Sequence, residues 1–122
     1  MYPPIFEVCT ASSEVRALLD DDGTTKLFLF GLAPQSVKTP YAVWQTIGGL
    51  PENYITNTPD IDRFAIQIDV YADSAATARE VAAALRDAIE PHAHVVGWRG
   101  GSRDPDTRNY RYSFDVEWFV KR

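Results

Sequence analysis

The stretch that most constrains this chain runs from Asp62 to Pro91, DRFAIQIDVYADSAATAREVAAALRDAIEP, where a two-residue hydrophobic alternation gives way to a 3.6-residue one. Phe64, Ile66, Ile68 and Val70 point one way and Gln67 and Asp69 the other, as side chains of an extended strand must. Ala72-Asp73-Ser74 then offers short oxygen-bearing side chains to the free N–H groups of a first helical turn. Ala78, Val81, Ala82, Leu85, Ala88 and Ile89 recur at helical spacing until Pro91 stops the run. Pattern, cap and terminator agree on a half-buried strand followed by an amphipathic helix.

The remaining segments can be placed around that unit. Tyr2 to Leu19 predicts two short helices, the first begun by Pro3 and Pro4, the second capped by Ser12 or Ser13 and broken by Asp20-Asp21-Asp22-Gly23. Lys26 to Phe30 (KLFLF) reads as a short strand, although periodicity alone does not separate it from a buried helical turn. Gly31 to Pro40 is a proline-bearing loop. Tyr41 to Ile47 alternates again and is expected to end at Gly48-Gly49, after which the polar LPENYITNTPDI forms a long connection to the central strand. Ala93 to Arg99 predicts a strand, and Gly100 to Asn109 a second polar loop. In the last strand Tyr110, Tyr112, Phe114, Val116, Trp118 and Val120 alternate with Arg111, Ser113, Asp115, Glu117 and Lys121. The expected fold is one compact α+β domain: a mostly antiparallel sheet of four or five strands with helices packed on one face.

At 122 residues the chain can bury roughly two-thirds of its unfolded surface and so needs no disulfide or metal to hold it. Its single cysteine, Cys9, permits no internal disulfide and reads as a small core residue rather than a nucleophile. No apolar run approaches the ~20 residues of a membrane span, and MYPPIFEV has neither the basic nor the apolar region of a signal peptide, so a cytoplasmic origin is the default. A net charge of -5 argues against a nucleic-acid module. The charge is polarised, though. Five carboxylates accompany one arginine in the first 22 residues, whereas six cations face four carboxylates from Gly97 onward. Such polarity suits a protein that meets copies of itself or another protein, as well as a merely solvated surface.

No pattern for chemistry emerges. His92 and His94 after Glu90 could share a strand face and one ion, but a third ligand is missing. Gly48-Gly49 and Gly100-Gly101 lack the continuation of a phosphate loop and read as turns, and the Asp20–Asp22 and Asp104/Asp106 clusters lack the spacing of a calcium loop. The aromatic residues say more. Trp44, Trp98, Trp118 and tyrosines 41, 71, 110 and 112 cannot all lie inside a domain this small, and Phe119 opposes the Trp118 face. An uncovered apolar patch of that kind marks an association site.

At these motifs the chain resembles a known family. YPPIF, the ordered set APQ-x-x-x-x-PY-x-VWQ, IQIDVYA and PDT-x-x-YR-x-SFDV, and the helix AATAREVAAALRDAI are similar to the small tail-completion (tail terminator) proteins of long-tailed phages and prophages. The resemblance implies a non-enzymatic α+β subunit without cofactor. It implies a hexameric ring that closes on the finished tail tube, halts its growth and presents the surface that joins the head connector. It also implies assembly in the host cytoplasm and a final place at the head-proximal end of the tail. Partners would be the protein itself, the tube protein and the connector, with no membrane and no nucleic-acid sequence recognition. Candidate contacts are Arg99, Arg103, Arg108 and Arg111 for neighbouring subunits or the tube, Asn53, Tyr54 and Ile55 on a loop ordered by binding, and Phe119 on the outer sheet face. A dimeric adaptor using the Phe119 face, or a small-ligand binder with its pocket between the main helix and the His92 corner, are the alternatives.

Overall fold

The computed structural model describes residues 3–54, 57–103, 105 and 108–121. Two short helices, α1 (Ile5–Thr10) and α2 (Ser13–Leu19), open the chain. A two-stranded ribbon of β1 (Asp20–Asp21) and β2 (Thr24–Thr25) follows. The rest is β3 (Leu27–Leu29), β4 (Tyr41–Tyr54), β5 (Asn57–Ala72), α3 (Ala75–Ile89), β6 (His94–Arg103) and β7 (Tyr110–Lys121). The five long-range strands form one sheet in the order β3-β4-β5-β7-β6, antiparallel except for β3 beside β4. The α+β architecture with a mostly antiparallel sheet is therefore as the sequence predicts.

α2 and α3 start where short hydroxyl side chains satisfy their free N–H groups, while α1 starts after Pro4 with no side-chain cap. Ser12 Oγ accepts from the Val15 N–H at 3.3 Å and Ser74 Oγ from the Thr77 N–H at 3.1 Å. The same alternation that makes β5 a strand puts Ile66, Ile68, Val70 and Ala72 on the face covered by α3, and β7 adds Phe114, Val116 and Trp118 there. The core is closed by Ala78, Val81, Ala82, Leu85 and Ile89 of α3 and by Ile5, Cys9, Val15 and Leu19 of the first two helices. All three helices lie on this one face.

Three expectations are corrected. Gly48-Gly49 does not end β4, and residues 50–54 and 57–61 are paired strand rather than loop. The register shifts between Thr46 and Gly48, so the glycines follow a bulge, and pairing resumes as Gly49↔Phe64, Leu50↔Arg63 and Pro51↔Asp62 out to Tyr54↔Asn57. Backbone pairing with the polar start of β5 overrides the breaker composition, and Pro51 is tolerated because β4 is an edge there. Second, Gly100-Gly101 lies within β6 rather than in a turn; the strand runs on to Arg103, with register shifts between Val95 and Gly97 and between Trp98 and Gly100. Gly100 has φ +77°, a conformation glycine adopts without strain. Third, the acidic stop after α2 is itself a hairpin, Asp20↔Thr25 and Asp21↔Thr24, turned by Asp22 and Gly23 at φ 53° and 83°.

Phe114 is fully buried, and Phe114→Ala is expected to cost about 3–5 kcal/mol in urea unfolding, against about 0.5 or less for exposed Phe119→Ala. Burial also pushes the Cys9 thiol up to about 12 from 9.0. A raised thiol value favours the folded state below pH 9 and loses that contribution as pH climbs toward 12, so the stability gap between the wild type and Cys9→Ala narrows across this window. Native Cys9 will also resist thiol reagents at neutral pH until the chain unfolds.

Candidate interaction surface

The sheet has one covered face and one open one. On the open face, side chains from β4, β5, β7 and β6 alternate out of the core, and no helix among the described residues covers them. Its centre is polar and hydrogen-bonded within itself, except that the buried Asp115 Oδ1 has no partner among the described residues. Asp69 is buried there without a helix above it, because three neighbours enclose its carboxylate: Gln67 Nε2 donates to both oxygens at 3.1 and 3.2 Å, Ser113 Oγ donates to Oδ1, and Arg111 Nε stands 3.5 Å away. Arg111 Nε also donates to Ser113 Oγ at 3.2 Å. Beside this group Arg99 Nε and Nη2 donate to Asp115 Oδ2 at 3.0 and 2.9 Å. That hydrogen bond first, and the carboxylate charge second, raise the Arg99 guanidinium's affinity for its proton. Tyr41 stacks on Tyr71 at 5.0 Å toward one end, where β4 and β5 pair these two residues. Phe119, 41% exposed, meets His94 edge to face at 6.1 Å toward the other.

Beyond the sheet the hairpin of β4 and β5 continues as an arm. β7 pairs with β5 only as far as Ile61↔Lys121, and β3 flanks β4 only from Ala42 to Trp44. Past those points the ribbon to Tyr54↔Asn57 has no further strand beside it among the described residues. A lone two-stranded ribbon is marginal in water, so an arm of this kind gains most of its order from what it rests on.

The predicted contact residues thus fall in three places rather than one. Asn53 and Tyr54 sit at the end of β4, in the arm, and Ile55 lies outside the described residues. Arg99 and Arg111 are on the open face, already engaged by Asp115, Ser113 and Asp69. Arg103 ends β6 and Arg108 lies just before β7, at the far end of the connecting loop: Arg103 Nε donates to the Arg108 carbonyl at 3.3 Å and its guanidinium covers the Tyr110 ring at 5.3 Å. Next to them a groove of about 410 Å³ runs between the first turns of α3 and the ends of β6 and β7, with Ala75, Ala78, Arg79, Arg103, Tyr110 and Tyr112 along it. The His92 corner borders an open depression of about 500 Å³ shared with the start of α2, which also exposes Glu14 and Asp87. Among the described residues no group of three His, Cys, Asp or Glu side chains comes together in a way that could hold a metal ion. No helix among the described residues is long and apolar enough to cross a membrane.

Sequence reasoning missed the Asp69 cluster, Arg79, and the exposed Phe30, Leu32 and Val96. The Asp69–Ser113 contact spans 44 residues, so only the matched alternation of β5 and β7 hinted at it. Phe30 and Leu32 were visible as apolar residues entering a proline-bearing loop, a place where cover is scarce.

Comparison with known proteins bears on all of these surfaces together. The family model described as "Tail completion protein gp17" matches residues 3–121. A chain in the solved structure titled "Virion of native gene transfer agent (GTA) particle" superposes with a TM-score of 0.68 at 19% identity, over 97% of this chain and 92% of that one. At that identity the likeness concerns the fold alone. No curated protein matches.

Asp69 is the acceptor on which the open face converges. Asp69→Ala leaves the buried Ser113 hydroxyl and the Gln67 amide without their acceptor and Arg111 without its ion-pair partner, and is expected to lower unfolding free energy by about 1–3 kcal/mol. Arg99→Ala, at a pair whose arginine is half exposed and whose Asp115 is partly buried, should lower the same urea midpoint by less than Asp69→Ala does.

Proposed function

Since the chain belongs to the tail completion protein gp17 family, we propose that it is the subunit of a closed ring, of six copies, that caps a phage tail tube. In this reading the ring stops tube growth and offers its other side to the head connector. It assembles in the host cytoplasm and ends in the virion, at the head-proximal end of the tail. The observation that carries the reading is the extent of the family match, which takes in the sheet, its open face, both edges and the arm. Catalysis has no part in it.

The surfaces divide the work. The arm with Asn53 and Tyr54, together with Ile55 and with Phe119, reaches the tube, where a marginal ribbon gains a partner surface. Arg103 and Arg108 serve contacts between neighbouring subunits, while Arg99 and Arg111 keep the open face rigid through Asp115 and Asp69. A ring requires two different complementary patches on each copy, and the polarised charge of this chain supplies opposite signs for them.

Absolute mass by light scattering across a concentration series, with and without purified tail tubes, tests this. A six-subunit species, or a monomer that becomes a ring only on tubes, is the expected result. A concentration-independent dimer indifferent to tubes would replace the ring with a two-fold adaptor. Replacing residues 50–60 by a short turn is expected to leave the melting temperature within a few degrees, because this ribbon extends beyond the strands that flank the sheet on either side, and to abolish co-sedimentation with tubes.

A further inference from the structure

Seven large apolar side chains are exposed among the described residues, and four of them lie at the two opposite edges of the sheet. Phe30 and Leu32, 65% and 68% exposed, follow β3 at one edge; Val96 and Trp98, 59% and 42% exposed, belong to β6 at the other. Opposite charge accompanies the two pairs. The β3 edge is continuous with the β1–β2 hairpin, which exposes Asp20, Asp21 and Asp22. Asp20 accepts from the Thr25 hydroxyl, and no described residue forms an ion pair with Asp21 or Asp22. The β6 edge carries the groove with Arg79 and Arg103, both exposed, and Arg79 likewise has no ion pair among the described residues. Lys26, which follows the acidic hairpin in the chain, is buried, with Nζ donating to the Lys38 carbonyl.

The two edges also match in height. Following the registered partners across the sheet, Leu29 pairs with Trp44, Trp44 with Ile68, Ile68 with Phe114, and Phe114 with Trp98. Leu29, immediately before the exposed Phe30, therefore stands on the same rung as the exposed indole on the far edge. Arg103 pairs with Tyr110 and Tyr110 with Ala72, one rung beyond Tyr41↔Tyr71. At the other edge Leu27 pairs with Ala42, so Lys26 stands level with Tyr41 and Thr25, which holds Asp20, is one rung beyond. From Thr25 to Leu29 is four rungs, and from Arg103 to Trp98 is four once the extra residue between Trp98 and Gly100 is discounted, roughly 13 Å in each case.

We propose that adjacent copies join edge to edge, the Phe30/Leu32 edge and acidic hairpin of one against the Trp98 edge and the Arg79/Arg103 groove of the next. The inference rests on the ring reading and says which surfaces close it. A contact between two different patches on opposite sides of a subunit is the kind that propagates around a ring. Equal spacing lets apolar residues meet apolar residues while aspartates meet arginines in the same approach, and the charge pairing adds to encounter and register.

The test exchanges charge between edges. One variant carries Asp20→Asn, Asp21→Lys and Asp22→Asn, with asparagine kept where Thr25 needs an acceptor and where φ is positive. The other carries Arg79→Glu and Arg103→Glu. All these positions are exposed, and thermal melting of each variant confirms that it folds. By light scattering under the conditions in which the wild type assembles, each variant alone should need at least about tenfold more protein to form the ring. An equimolar mixture should recover the ring mass, because each interface then joins unlike charges. Assembly of either variant at the wild-type concentration, or a mixture that stays monomeric, would overturn the edge pairing while leaving the ring intact. A wild type that assembles neither alone nor on tubes would overturn both.

Discussion

Everything in this structure depends on the pairing of β5 with β7. The two strands are registered from Ile61↔Lys121 to Ala72↔Tyr110 without a shift, and their alternating side chains create a face apolar enough to bury α3. Because α3 joins β5 to β6, and β6 returns along the far side of β7, the helix is held over the strands that need covering. α1 and α2 then fill the space beside it with Ile5, Cys9, Val15 and Leu19. The same register fixes what happens on the reverse side. With every second residue of β5 and β7 turned away from the helices, Asp69, Ser113 and Arg111 are brought together and satisfy one another in place of a second layer.

That arrangement explains how a domain with one helical layer can expose an entire sheet face and remain ordered. The open face is neither a second core nor ordinary surface. Its aromatic members are at the margins, Tyr41 on Tyr71 at one end and Phe119 on His94 at the other, with a hydrogen-bonded centre between them. Stiffness of this kind suits a structural part of a phage tail, since surfaces carried on one sheet keep their spacing.

The sequence was legible where local signals agreed with the final environment. Alternation in β5 and β7, the helical period of α3, Ser74 as its cap and Pro91 after it lead to the observed elements. Phe119 could be placed outside because it opposes Trp118 in an unbroken alternation. It was illegible where pairing between distant segments overrode composition. Gly48, Gly49 and Pro51 read as breakers, yet a neighbouring strand supplies their ladder whatever their side chains prefer. β6 extends through Gly100 and Gly101 for the same reason. Arg99 was recognisable as a surface cation, but its partner Asp115 is 16 residues away, so nothing local announced that its charge was already engaged. The groove beside Arg103 needed α3, β6 and β7 to be in place before it existed.

Both lateral edges of the molecule belong to one continuous five-stranded sheet. Strands in such a sheet rotate against each other by roughly 20–25° per step, so the angle between the outermost edges is a property of backbone twist and of the bulges that modify it. Substituting side chains at an edge changes how tightly something binds there, but not the direction in which the edge faces. The curvature of any assembly built through these edges, and hence its number of members, is written in the main chain: in the shifts after Thr46, Val95 and Trp98 more than in any contact residue.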